Sequence, residues 1–185
     1  ELEGSGAMSA VGSTRETSDA IIDRCVELLA SGGIVAIKGL GGFHLACNAA
    51  NEQAVVELRR RKRRSNKPLA VMVRSLADTE RLCHVDDAER DLLAGSIRPI
   101  VLLRRRVVGE GDSPDGLTLA PSVAHDLPDL GVMLPYTPLQ HLLLAAASSH
   151  GMHALVMTSG NLSEEPIETD DALAWEHLVA AGIAD

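Results

Sequence analysis

Six mainly apolar runs of about five residues, at 34–38, 43–47, 69–73, 99–103, 130–134 and 154–158, punctuate this chain of 185 residues. Runs so short, rich in Val, Ile and Leu and bounded by glycine, proline or charge, fit buried strands and are too brief for core helices. Between them lie stretches with apolar residues at helical spacing. Thr17 or Ser18 is expected to cap a helix through about Ala30, with Ile21, Ile22, Cys25, Val26, Leu28 and Leu29 as its apolar stripe and Gly32-Gly33 ending it. Asn51 is expected to cap a second helix over 52–63, with Ala54, Val55 and Leu58 facing the core. Short helices are expected at 75–83 and 86–93, a proline-initiated one at 138–147, and a last one at 170–181. The order is irregular and no repeat appears, which predicts an α/β fold with a mixed parallel and antiparallel sheet flanked by helices.

Aromatic residues are only 2% of the chain, so the core has to be aliphatic. No apolar run approaches the ~20 residues that span a bilayer. Cys25, Cys47 and Cys83 are odd in number, far apart and without a CxxC pair, which argues against a disulfide framework or a zinc site and for a cytoplasmic setting. The opening ELEGSGAM reads as a cloning scar, and the polar, Gly/Asp/Pro-rich stretch 109–116 as a mobile surface loop.

Charge is distributed unevenly. The net charge is −9, yet the segment from Arg59 to Lys67 holds seven of the 17 basic residues and no acidic one. An acidic body with one cationic cluster points to a local anion site rather than a general nucleic-acid surface. The cluster sits where a helix ends and a strand begins, a position at which α/β folds bind ligands. Arginine forks and lysine ammonium groups there can surround a polyphosphate. A solvated helix end, or a patch touching RNA, explains the same spacing.

Two further segments carry candidate chemistry. Thr158-Ser159-Gly160-Asn161 follows the last apolar run; its hydroxyl and carboxamide groups can hydrogen-bond phosphate or sugar, and Gly160 permits a close backbone approach. An ordinary polar turn is the alternative. Lys38-Gly39-Leu40-Gly41-Gly42-Phe43-His44 matches neither the GxGxxG nor the P-loop spacing; Lys38 at a strand end could hold a carboxylate or carbamoyl oxygen, and a tight hairpin with an exposed lysine fits the same residues equally well. His44, His125 and His141 lack metal-ligand spacing, Phe43 and Tyr136 fit the core, and Ser159 has no nucleophile-elbow context. Glu164, Glu165 and Asp170 read as a solvated acidic face, so no metal ligands are assigned within the protein.

Taken in order, KGLGGFHLACNA, LRRRKRRSNKPLAVMV, LGVMLPYTPLQHLL and ALVMTSGNLSEEPI resemble the YrdC-like domain of HypF-type hydrogenase maturation carbamoyltransferases, from about Ser18 to Asp185. The YrdC hallmark, a basic KxR element with a distant SxN element, maps onto Lys62 and Arg64, and onto Ser159 and Asn161; Lys67 also fits. The resemblance implies a twisted mixed sheet with a basic concave nucleotide-binding face. With residues 1–13 set aside as an expression scar or disordered leader, it implies 14–185 as one YrdC-like domain, expected to be excised from a larger enzyme and truncated at its C-terminal edge. It implies that ATP, with Mg²⁺, is joined to carbamate derived from carbamoyl phosphate, giving carbamoyl-adenylate and pyrophosphate. Other domains of the parent enzyme would pass the carbamoyl group to HypE for the cyanide ligands of a NiFe centre. The implied catalytic residues are Lys38, Lys62 and Arg64, and the implied phosphate-binding residues Lys62, Arg64, Lys67, Thr158, Ser159 and Asn161. Stand-alone threonylcarbamoyl-adenylate synthases carry a Pro-Thr-x-Thr-x-Tyr-Gly-Leu motif where this chain has residues 37–45, which argues against that branch. A double-stranded RNA-binding module and the equivalent domain of an antibiotic O-carbamoyltransferase stay open as alternatives.

Overall fold

In a computed structural model, the described residues are 14–65, 67–106, 117–162 and 164–185. The leader at 1–13 and the polar stretch at 109–116 lie outside them. Helix α1 (Arg15–Ala30) begins three or four residues earlier than a cap at Thr17 or Ser18 predicts. Thr14 is its cap, and Thr17 occupies the third helical position, where its hydroxyl closes a capping box with the Thr14 backbone. A hydroxyl at either place satisfies orphan amides, and the reciprocal pair satisfies more of them. Strands β1 (Val35–Lys38) and β2 (Phe43–Asn48) form a hairpin, followed by α2 (Glu52–Arg61), which Asn51 caps as expected. Then come β3 (Val71–Val73), α3 (Leu76–Leu82), α4 (Asp87–Ala94) and β4 (Val101–Arg104). After the 3₁₀ turn Pro121–Val123 follow β5 (Asp129–Met133), α5 (Pro138–Ser149) and β6 (Ala154–Ser159). The last expected helix is a single α turn, α6 (Asp171–Ala174), running into a π-helical segment, Trp175–Ala180.

The strands form one mixed sheet in the order β1-β2-β6-β3-β5-β4, with β3 and β5 parallel and every other pair antiparallel. All six expected runs became strands, although 69–73 shrank to β3 and 99–103 to β4. Side-chain alternation divides the sheet into two faces. Leu45, Cys47, Val71, Val132 and Val156 face Ala54, Val55 and Leu58 of α2. Ala46, Met72, Met133, Leu155 and Met157 face Ile22, Val26 and Leu29 of α1 and Leu143, Leu144 and Ala147 of α5. The three free cysteines behave as apolar filling: Cys47 and Cys83 are buried, and burial pushes both thiols up to about 12.

Helices α1 and α5 leave part of the second face open. There the strands contribute a row of floor residues, Leu102, Gly131, Ala70 and Met157, tied together by the register of β4 on β5 and by the Met157 amide donating to the Ala70 carbonyl. Gly131 has no side chain to raise that floor; a Cβ there would lie 3.4 Å from the Ala70 Cβ and 3.2 Å from Ile100. This open strip of sheet is the base of a cavity.

Candidate functional site

The cationic segment does not present seven free charges. Helix α2 ends at Arg61 because Arg63 adopts a left-handed φ of 53°. The Arg64 amide then donates to the Arg59 carbonyl (2.9 Å) and the Arg63 amide to the Arg60 carbonyl (3.2 Å). That is a Schellman closure, completed by an arginine where glycine is usual. The reversal turns the following residues back over the helix end, and Arg59 holds them there. Its guanidinium, on a residue only 7% exposed, donates to the carbonyls of Arg64 (3.1 Å), Ser65 (3.3 Å) and Lys67 (3.0 Å). It also reaches Ser122 (2.6 Å) and Val123 (3.2 Å) in the 3₁₀ turn. Arg60 and Arg61 converge on Glu57, whose carboxyl they hold down at about 2, and Arg61 also pairs with Asp185 at 2.7 Å.

Lys62 is the largest departure from an exposed basic patch. It is 1% exposed, and its ammonium lies inside the Ser159-Gly160-Asn161 turn nearly a hundred residues away in sequence. It donates to the Ser159 carbonyl and the Asn161 carbonyl, each at 2.6 Å, and to Asn161 Oδ1. A lysine has three donors, and all are used. Burial, and then the Arg64 guanidinium, lower its pKa to about 8, against an opposing pull from Glu165. The turn itself is braced from the other side. The Gly160 amide donates to the Phe43 carbonyl at 2.6 Å, and a Cβ on Gly160 would stand 2.7 Å from that oxygen. Only glycine fits this contact.

The cavity, of about 630 Å³, is walled by Arg64 and Pro68 on one side and by Ile97, Arg98 and Ile100 on another. Thr158 and Ser159 close one end together with His44, which pairs with Ser159 in the β2–β6 ladder. His44 Nε2 is 3.4 Å from the Tyr136 hydroxyl, and burial lowers the pKa of its imidazole. The Arg64 guanidinium donates one bond, to the Pro68 carbonyl at 3.0 Å. Its buried Nε has no partner among the described residues. A cavity of this size, with an apolar floor and a few convergent polar groups, has the make-up of a small-molecule site. The spare guanidinium donor suits an anion.

The expected site residues therefore divide. Arg64, Thr158 and Ser159 line the cavity; Lys62 and Asn161 lie behind them and set the shape of the turn. Asn161 spends Oδ1 on Lys62 and on the Ser159 hydroxyl (2.7 Å), and its amide on the Glu165 carbonyl. Lys67 is exposed, 3.8 Å from Glu164. Lys38 is not a lining residue: it pairs with Asp171 and lies 5.5 Å from the centre of the Phe43 ring. Asp170 caps α6, and His125 and His141 are exposed away from the lining. No three His, Cys, Asp or Glu side chains cluster as metal ligands among the described residues, and none of their helices is long and apolar enough to cross a membrane. The apolar wall around Arg98 was missed; the Gly-Ser-Ile-Arg-Pro stretch before β4 was its only local sign.

The Sua5/YciO/YrdC family model, described as telomere recombination, matches residues 27–182. The chain is 46% identical over 188 residues to carbamoyltransferase HypF2 of Cupriavidus necator, covering 96% of this chain and 22% of that protein. It is 51% identical over 152 residues to carbamoyltransferase HypF of Rhodobacter capsulatus, covering 82% and 18%. The chain thus spans about a fifth of the length of these curated relatives. A crystal structure of full-length HypF in its phosphate- and nucleotide-bound form superposes with a TM-score of 0.79 at 46% identity, over 89% of this chain and 24% of that one. Fold, motif order and family match coincide over nearly the whole described chain, and it belongs to the Sua5/YciO/YrdC family.

Proposed function

We propose that this chain is the nucleotide-activating domain of a HypF-type carbamoyltransferase, and that it forms carbamoyl-adenylate from ATP and carbamate. The observation that carries this reading is the junction of the cationic helix end with the Thr158–Asn161 turn. It sets an arginine with a spare donor and two hydroxyls on one cavity. In the step proposed, a carbamate oxygen bonds to the α-phosphorus of ATP as the bond from that phosphorus to the β-phosphate oxygen breaks, releasing pyrophosphate. Carbamate is already an anion, so attack needs no general base. What the step needs is alignment and cationic relief of the charge that builds on the leaving group. Arg64 would supply the relief, with Lys67 able to swing in from its exposed position. Ser159 and Thr158 would orient phosphate oxygens. Lys62 and Asn161 would act by holding Ser159 in place, with the Lys62 charge adding to the local positive potential.

Mg²⁺ would be held mainly by the phosphates of the nucleotide, as this ion usually is. Lys38, the sequence-based choice for carbamate, is occupied by Asp171, so His44 and Tyr136 beside Ser159 are better situated for the acyl end. Carbamoyl phosphate as the carbamate source, HypE as acceptor and the remaining domains of the parent enzyme complete the proposal. The RNA-binding alternative is disfavoured because Arg59 and Lys62 are buried and Arg60 and Arg61 are paired with Glu57, which leaves few cations for a phosphate backbone. The test is ATP–pyrophosphate exchange in the full-length enzyme, dependent on carbamoyl phosphate. Arg64→Ala should abolish exchange with circular dichroism unchanged; exchange at the wild-type rate in that variant would overturn the assignment.

A further inference from the structure

Three backbone hydrogen bonds close a ring at the polar end of the cavity. The Gly160 amide donates to the Phe43 carbonyl (2.6 Å), the Phe43 amide to the Glu168 carbonyl (2.7 Å), and the Glu168 amide to the Gly160 carbonyl (2.9 Å). Each member adjoins a lining side chain: Gly160 follows Ser159, Phe43 precedes His44, and Glu168 follows Ile167. Glu168 is thus bonded to both walls, and the strap 164–168 that carries it supplies a third. The fit is close, since a Cβ on Gly42 would stand 2.7 Å from the Glu168 carbonyl oxygen and 3.0 Å from Ile167 Cγ1.

The Glu168 side chain is engaged elsewhere. Its Oε1 pairs with His177 Nδ1 at 2.7 Å; the glutamate side chain is 16% exposed and the histidine 50%. His177 belongs to the π-helical segment Trp175–Ala180, a geometry that often marks functional positions. Its neighbour Leu178 is fully buried, and the Leu178 carbonyl accepts both the Ile183 (2.8 Å) and Ala184 (2.7 Å) amides. The imidazole therefore stands on an anchored base. The charged groups acting on it are all acidic: Glu168 and Glu165 of the strap, and Glu176 of its own segment. The hydrogen bond to Glu168 raises its pKa above 6.5.

We propose that Glu168, held by His177, is a positioning residue that sets the separation of Ser159 and His44 across the polar end of the cavity, and that protonation of His177 tightens this setting. Its consequence for catalysis rests on the adenylation reading above; the linkage of His177 to the two walls does not. The folded imidazole titrates above the free one. Its contribution is complete below about pH 6.5 and is lost as the pH rises through the folded value.

In the 185-residue chain, NMR titration gives the His177 pKa, and hydrogen exchange follows the Phe43, Gly160 and Glu168 amides. Glu168→Gln should lower that pKa. His177→Ala, at an exposed position, should speed exchange of the three amides about three- to tenfold while α1 amides keep their rates. In the full-length enzyme at about pH 6, His177→Ala should lower the maximal rate of carbamoyl phosphate-dependent pyrophosphate exchange about five- to tenfold. The KM for ATP should stay within about twofold, because misalignment is felt in the transition state. His177→Lys keeps a cation from about pH 6 to pH 9 and should restore the rate. Lys62 and His44 titrate in both proteins, so the wild-type pH profile divided by that of His177→Lys isolates His177. The ratio should fall as the pH rises through the NMR value. A flat ratio, or Phe43 and Gly160 amides that exchange at wild-type rates in His177→Ala, would sink the proposal. Accelerated amides in an enzyme without any pyrophosphate exchange would leave the linkage standing and remove the adenylation reading instead.

Discussion

Replacing Lys62 with methionine keeps the length and apolar stem of the side chain but removes the charge and three donors. The acceptors left behind are the Ser159 and Asn161 carbonyls, each now at 2.6 Å from the ammonium, and Asn161 Oδ1. Hydrogen bonds from a charged group contribute about 1.5–3 kcal/mol each, so three amount to roughly 5–9 kcal/mol. Burying the ammonium offsets part of this. A fall of the lysine pKa from 10.5 to about 8 corresponds to roughly 3 kcal/mol in favour of the uncharged form. The expected net loss at pH 7 is therefore about 2–6 kcal/mol, a large fraction of a domain's stability. Equilibrium urea unfolding of the wild type and of Lys62→Met measures it, with the slope against urea expected to stay constant. A double-mutant cycle with Asn161→Ala should give a coupling of at least ~1.5 kcal/mol, since the two side chains share one network. A loss below ~1 kcal/mol, with no coupling, would refute the claim that this lysine organises the turn.

The same ammonium predicts opposite pH trends for stability and for ligand affinity. Its folded pKa of about 8 lies below 10.5, so between these values the unfolded chain holds more protons, and stability should rise with pH across that window. Nucleotide affinity should fall over the same window as the cation is lost; Lys62→Met, followed by denaturation and titration from pH 7 to pH 10, should flatten both. Gly160→Ala would press a methyl group to within 2.7–2.9 Å of Phe43 atoms and should cost about 1–3 kcal/mol, read by thermal unfolding. Arg59→Leu strips the Ser122, Arg64, Ser65 and Lys67 carbonyls of their partner, while the Val123 carbonyl keeps the Leu69 amide, and should cost about 3–5 kcal/mol, with faster amide exchange confined first to the chain reversal after α2.

The sequence by itself determined the inventory of elements. Among the described residues, apolar runs, Asn51 and Pro138 located all six strands and all six α-helices, the last as a single turn before a π-helical segment, because strand burial and helix capping are local effects that a short window contains. Thr14 was missed as a cap because three hydroxyl residues compete within five positions and only the closed box selects one. Motif order also joined the basic segment to the Ser-Gly-Asn turn, and the two do meet. What tertiary structure alone decided is the work each cation does. Arg59, Lys62 and Arg64 are equally basic in the sequence, but the Schellman closure at Arg63 sends one into a cage of carbonyls, one beneath a distant turn and one to a cavity. Their separation depends on a left-handed backbone angle and on acceptors more than sixty residues away, and neither is encoded in the local spacing of charges.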